Sequence, residues 1–451
     1  MDKKQFMNEK ISEYLTKKAT LTPWSLETHL NKEIEQVVVI PAYNEFAGIL
    51  TLFQSLSMNP IQLCEKTLVI VVVNNQNETI SPPEALKNNQ ETIEFLKTCM
   101  YSNQTPFPIG IIDASSAGYE FPVGQGVGLA RKIGLDWGLR YLAEEGNSFG
   151  GLICLDADCT VSDNYLFTWN SFFKENPNSA GVMYSEHPIE HTPLGLCMLA
   201  YEIYLRTYEL GLCYAQSPYT FLPIGSTIGV PAVLYAASGG MSTRIAGEDF
   251  YFLQQLARIS GIKRITEATV FPSSRLSERV PFGTGAKLKQ YMNQPEKRFS
   301  FYPFSAFEIL RRWIQCLDHP DENAEYMLLQ AETIHPELAH FLSSNYWLQK
   351  TSKIFKQHKN RSRLIYHLHE WFDGLKTLRL LNHLKEFAFV ETTVFETLKE
   401  FVVRLNMSEF EHINFESIQY EYNQQHVLLN TLRKSWDKLK IAGINYHLNS
   451  N

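Results

Sequence analysis

Leu152-Ile153-Cys154-Leu155-Asp156-Ala157-Asp158 is an apolar run that ends in two carboxylates one residue apart. Read as a strand, its side chains two apart share a face, so both carboxylates emerge together. At the carboxyl end of a parallel strand they face the crevice where open α/β sheets take up ligands. Two hard oxygen donors there suit Mg²⁺ or Mn²⁺, and such an ion suits a diphosphate. An isolated Asp-x-Asp is more often a solvated turn, so the surrounding chain has to decide.

Working outward, further apolar runs of strand length alternate with helical patterns. Val37 to Ile40 is closed by Pro41, and Asn44 is placed to cap a helix reaching about Met58. Leu68 to Val73 ends at Asn74-Asn75, and Ser81-Pro82-Pro83-Glu84 has capping-box spacing before a helix to about Met100. Ile109 to Ile112 ends at Asp113. Gly124-Gln125-Gly126-Val127-Gly128 then opens a helix in which Leu129, Ile133, Trp137 and Tyr141 recur every fourth residue. Gly150 to Leu155 and Ala180 to Tyr184 are the fourth and fifth strands. Such alternation predicts an α/β domain, a mostly parallel buried sheet with helices on both faces.

From about Phe299 the pattern becomes helical, as Phe307, Leu310, Ile314 and Leu317 show, with Leu380, Leu384 and Phe387 later. The 451 residues suffice for two or three domains. We read an N-terminal helical arm over 1–34, the α/β domain over 35–295, with its boundary near Asn293-Gln294-Pro295-Glu296, and an all-helical accessory domain over 296–451.

A formal charge of −7 with no Lys/Arg-rich block argues against a nucleic-acid partner and against an anionic membrane surface. The seven scattered cysteines form no CxxC pair, which fits a reducing compartment. With no apolar signal core after Met1 and no run of spanning length, the expectation is a cytoplasmic protein without an integral membrane segment.

Four segments, in order, resemble the family-two glycosyltransferases of the GT-A fold, which are nucleotide-diphospho-sugar transferases. They are Val37-Val38-Val39-Ile40-Pro41-Ala42-Tyr43-Asn44-Glu45, Gly126 to Leu135 with Ala130-Arg131, Leu155-Asp156-Ala157-Asp158, and Gly225-Ser226 through Gly239-Gly240-Met241 to Gly247-Glu248-Asp249-Phe250. The resemblance covers about residues 35–285 and leaves the helical tail aside. It implies a hexosyltransferase that moves a sugar from a nucleotide-sugar donor to a hydroxyl acceptor, assisted by Mg²⁺ or Mn²⁺.

On this resemblance Asp158 is the direct metal ligand, and Asp156 shares the metal or holds the ribose. Pro41, Ala42, Tyr43, Glu45, Asn74 and Arg131 lie on the donor side. Gly225, Ser226, Arg275 and Arg279 lie on the acceptor side. In an inverting relative the Asp matching Asp249, beside Glu248, takes the acceptor proton. A helix N-terminus favours the ionised carboxylate and so weakens that base, an effect that burial can outweigh.

The sequence departs from the family in two places. Asn74-Asn75 stand where a base-reading Asp is usual, and Glu267 to Arg279 holds no His or Asp as a third metal ligand. Gly124-x-Gly126-x-Gly128 is either a phosphate-binding turn or a plain flexible one. His187 and His191 are separated by Pro188, which disfavours a zinc site.

Two other readings stay open. Asp156-x-Asp158-x-Thr160 also fits a phosphotransferase of haloacid-dehalogenase type with Asp156 as nucleophile, which a trapped aspartyl-phosphate would reveal. Alternatively, the domain is an inactive nucleotide-binding scaffold. The helical tail is a cover for the acceptor cleft, a surface for homo-oligomerisation or one for another protein.

Overall fold

The computed structural model describes residues 3–29, 33–102, 104–244, 247–276 and 283–435. The chain divides into two compact units, Met1–Pro188 with Pro223–Gly283, and Ile189–Leu222 with Thr284–Asn451.

The first unit is built on one sheet of nine strands. In chain order these are β1 (Leu26–Thr28), β2 (Gln36–Ala42), β3 (Thr67–Asn74), β4 (Ile109–Ala114), β5 (Gly151–Cys154), β6 (Thr160–Val161), β7 (Ala180–Ser185), β8 (Ile228–Pro231) and β9 (Ile262–Phe271). Their order across the sheet is β1-β4-β3-β2-β5-β8-β7-β9-β6. The block β4-β3-β2-β5 is parallel, as is the β7–β9 pair. β8 runs antiparallel to β5 and β7, and the short edge strands β1 and β6 are antiparallel to their neighbours. The sheet is therefore mixed around a parallel core.

Every residue of β2 and β3 is buried, as strands covered on both faces require. Helices α1 (Lys3–Lys17), α2 (Phe46–Ser57), α3 (Ile61–Cys64), α4 (Pro83–Ser102), α5 (Val127–Glu144) and α6 (Tyr165–Glu175) come from the first part of the chain. Val38, Ile40, Val69, Val71 and Ile153 share one core with Leu52 of α2, Leu96 of α4 and Trp169 of α6. On the opposite face Gly134 and Gly138 of α5 lie against Val39 and Val37. Helices on both faces are thus observed.

The expected N-terminal arm is part of this unit. Tyr14 of α1 and Tyr235 each donate to Asp136 Oδ1 at 2.7 Å, while Thr20 N and Lys132 Nζ reach its Oδ2 at 2.7 and 2.8 Å. Asp136 is fully buried, and this donor set is what makes its charge tolerable there. Two expected caps do not form. Asn44 has a left-handed φ of 55° and precedes the helix, whose N-cap is Glu45. Ser81 Oγ donates back to Gln76 O at 2.9 Å, and α4 begins at Pro83.

The second unit contains α7 (Pro193–Tyr214). The first unit resumes with α8 (Ala232–Ser238) and α9 (Glu248–Ser260). The remaining helices all belong to the second unit: α10 (Thr284–Asn293), α11 (Phe304–Asp318), α12 (Ala324–Ile334), α13 (Pro336–Ser344), α14 (Trp347–Gln357), α15 (Arg361–Trp371), α16 (Gly374–Phe387), α17 (Val394–Arg404) and α18 (Tyr422–Ser435). The boundary differs from the one read in the sequence. Leu199, Ile203 and Leu210 of α7 join the core of Phe307, Trp313 and Phe401, and Leu288 of α10 packs with Cys197 and Met198. Arg433 of α18 grips both oxygens of the buried Glu202 at 2.8 Å, beside Arg206.

None of the seven cysteines is in a disulfide. Among the described residues no helix is long and apolar enough to cross a membrane.

Tyr14→Phe removes one donor from a fully buried carboxylate. It should destabilise the protein by about 1.5–3 kcal/mol, the usual worth of a hydrogen bond to a charged group. Urea unfolding measures this, and an unchanged midpoint would show that α1 is not held through Asp136.

Candidate active site

The parallel block brings several chain ends to one edge. Ala42 pairs with Val73 and Val73 with Asp113, so the segments beyond β2, β3 and β4 leave the sheet side by side. Next to β2, the β5 ladder closes with Leu155 N donating to Val39 O at 3.0 Å, and Asp156 is the next residue. Cys159 N then donates to Asp156 O at 3.1 Å, so Asp156-Ala157-Asp158-Cys159 is a turn and not extended chain. Strand alternation is therefore not what aligns the two carboxylates. The turn does so, bringing ligand atoms of Asp156, Asp158 and Cys159 within 4.8 Å of one another.

Arg131, in the first turns of α5, is 5% exposed. Its Nη2 is 2.5 Å from Asp156 Oδ1, and its Nη1 donates to Glu248 Oε1 at the start of α9. It is neither a surface arginine nor, in this state, free to contact a ligand through those nitrogens. Although burial opposes its charge, Asp156 and then Glu248 hold the guanidinium protonated. Glycines allow this approach. A Cβ at Gly225 would collide with the Arg131 guanidinium, and one at Gly128 with the Arg244 carbonyl oxygen. Gly128 is thus explained by packing against the segment that enters α9, without any phosphate. Ser226, expected on the acceptor side, is 1% exposed and so does not lie on an open face.

A second guanidinium faces the other aspartate. Arg275 pairs with the buried Glu45 and lies 3.2 Å from Asp158 Oδ2, with 41% of its side chain exposed. Arg279 lies outside the described residues. Pro41 and Ala42 are buried and Tyr43 is half-buried at the end of β2. Asn74 is 5% exposed, and its amide donates to the Ala42 and Val72 carbonyls at 3.2 Å, which holds the strand ends in place.

Two neighbours escaped the sequence reading. Asn89 of α4 accepts from Asn44 N at 2.9 Å and donates to Asn74 O and Asn75 Oδ1 at 3.0 and 2.8 Å. Asp113 Oδ1 collects Ser115 N, Ser115 Oγ and Ser116 N. Asp113 ends a strand in the sequence, a usable signal. Asn89 sits in mid-helix and gives none.

Asp249 is half-buried, and its carboxyl is pushed up to about 7, first by loss of solvent and then by Glu248 beside it. Here burial acts against the helix field. Cys159 is raised well above the ordinary thiol range by burial, then by Asp156 and Asp158. It stays a neutral thiol, leaving oxygens as the effective donors. Glu45, Asp156, Asp158, Glu248 and Asp249 outnumber Arg131 and Arg275. Hard oxygens in acidic excess fit Mg²⁺ or Mn²⁺, which complete their shells with water.

No family model matches the chain, and no curated protein matches it in sequence. Solved structures do. TarS 1-349 of S. aureus in complex with UDP-GlcNAc is 13% identical, with 90% of this chain and 92% of that one covered and a TM-score of 0.35. Mannosyltransferase PcManGT from Pyrobaculum calidifontis, in complex with GDP-Man and Mn²⁺, is 13% identical over 96% and 95%, at 0.34. GalNAc-T7 with UDP, GalNAc and Mn²⁺ is 14% identical over 71% and 59%, also at 0.34.

Arg131→Leu strands Glu248, a carboxylate only 3% exposed. It should cost about 3–5 kcal/mol, the usual loss when one partner of a buried pair is removed. Adding Glu248→Gln should recover part of that loss in denaturant melts. No loss in the single variant would mean that the pair does not hold α5 to α9.

Proposed function

We propose that the chain is a glycosyltransferase of the GT-A fold that moves a sugar from a nucleotide-diphosphate donor to a hydroxyl acceptor. The observation that carries this reading is the convergence of Asp156 and Asp158, backed by Arg131 and Arg275, where parallel strands end. Ligands bind at such edges in open α/β sheets.

Asp158 is the direct ligand for Mg²⁺ or Mn²⁺, and Asp156, turned by Arg131, completes the pair. A bound cation supplies Lewis-acid neutralisation of the departing diphosphate. Pro41, Ala42 and Tyr43 line the nucleoside side, and Asn74 and Glu45 fix the chain around it. Arg131 is a positioning residue, since it acts through Asp156 and Glu248. Gly225 and Ser226 form the floor on the acceptor side, and Arg275 is the half-exposed cation at its rim.

Transfer is inverting in this scheme. The acceptor oxygen forms its bond to the anomeric carbon, the carbon–oxygen bond to the diphosphate breaks with its electron pair, and the acceptor proton passes to Asp249. A carboxyl at about 7 suits a general base working near neutrality. Loss of solvent, and after it like-charge repulsion from Glu248, keeps it there.

Asp158→Asn should abolish Mn²⁺-dependent binding of donor while the circular dichroism spectrum stays unchanged. Unaltered donor affinity in calorimetry would remove the metal from the scheme.

Asp249→Asn should lower turnover by roughly 10²–10⁴, the usual share of general-base catalysis, with little change in donor affinity. Only the ionised carboxylate accepts a proton, so the parent rate should rise with pH through about 7, and the residual rate of the variant should lack that rise. Full activity in the variant would refute inversion by Asp249.

A further inference from the structure

A second group of ligand-type side chains lies in the helical unit. Glu337 stands in the first turn of α13, and His340 follows it by three residues. Residues at that spacing share a helix face, and Glu-x-x-His is a pattern by which one helix presents two metal ligands. His383, from α16, completes the group. Its Nε2 lies 2.8 Å from Glu337 Oε2, and His340 Nδ1 lies 3.3 Å from the same oxygen. We propose that Glu337, His340 and His383 form a site for a borderline divalent transition-metal ion, zinc by its chemistry, that clips α13 to α16.

The geometry favours an ion over a simple hydrogen bond between helices. One imidazole suffices to tie α16 to the carboxylate, yet a second turns to the same oxygen, with the two imidazole centroids 5.6 Å apart. Ligand atoms of all three residues lie within 4.8 Å of one another. Around tetrahedral zinc, with bonds of roughly 2.0–2.2 Å, neighbouring ligand atoms sit about 3.3 Å apart. The observed 2.8 and 3.3 Å are within a few tenths of an ångström of that edge.

The surroundings fit as well. Phe341 and Phe387 pack on His383, at centroid distances of 5.6 and 4.8 Å, and set its ring. The first turn of α13 is fixed by Glu337 N donating to His335 Nδ1 at 3.1 Å. His340 is 65% exposed, which leaves an entry path and a fourth position for water. Two imidazoles with one carboxylate are a zinc ligand set. Mg²⁺, by contrast, prefers oxygen alone. The ion chosen here therefore differs from the one suited to Asp156 and Asp158, and this proposal does not depend on the activity assigned to that pair.

The test uses the full chain, stripped with chelator and titrated calorimetrically with Zn²⁺ under excess Mg²⁺, which saturates the oxygen-rich site. Co²⁺ is used in parallel as a coloured stand-in. The parent should bind one Zn²⁺ in this unit, gain thermal stability from it, and give the visible absorption of tetrahedral Co²⁺. His340→Ala, which alters an exposed side chain and leaves the fold in place, should lose affinity by tenfold or more, as should His383→Ala. Equal Zn²⁺ affinity in the parent and His340→Ala would overturn the proposal. So would Zn²⁺ uptake that disappears with Asp158→Asn and persists in both histidine variants.

Discussion

The buried guanidinium of Arg131 reaches the end of β5 through Asp156 and the start of α9 through Glu248. Chain segments about a hundred residues apart in sequence meet on this one side chain, and both carboxylates depend on it for compensation. A buried charge is tolerable only when paired, so the buried Arg131 and Glu248 depend on each other most, with the part-exposed Asp156 beside them. Gly225 and Gly128 extend the same constraint into the backbone, because a side chain at either would push Arg131 or the approach to α9 out of place. The turn at Asp156 sets that residue against Asp158, and Arg131 ties the turn to the start of α9, where Asp249 lies.

The electrostatic character of the site comes from an imbalance. The two arginines neutralise only part of the carboxylate charge gathered at the sheet edge, and Asp249 relieves more by holding its proton to about neutral pH. Asp158 faces Arg275, a half-exposed side chain. On the proposed function, a divalent cation with water in its shell would offset the remainder, so that a diphosphate meets a neutralised site in place of an acidic one. On that proposal, the acidic excess that would draw a cation also adds to the burial that raises the Asp249 carboxyl.

The parallel core was legible in the sequence because buried strands must be continuously apolar. Val37 to Ile40, Leu68 to Val73 and Gly150 to Leu155 each fall within a residue or two of a strand of the structure. β8 was not legible. It has only four residues, one of them Gly229, whose missing side chain makes room for the Trp169 ring, and no periodicity marks such a segment. The two units divide at other points than the boundary read in the sequence, and the packing of Leu199 and Ile203 with Phe307 places α7 in the second. Asp156 and Asp158 were found by pattern, although the turn that aligns them was not. The inward role of Arg131 was hidden because it depends on partners far along the chain.

The central claim is that the acid pair at the end of β5 binds a nucleoside diphosphate through a divalent cation. Thermal unfolding of the parent with a panel of nucleoside diphosphates, each in Mn²⁺ and again in chelator, tests it most directly. One member should raise apparent stability in Mn²⁺, by about 2.7 kcal/mol at a hundred times its Kd, and lose that effect in chelator. Stabilisation that survives chelation, or no stabilisation by any member of the panel, would contradict the account.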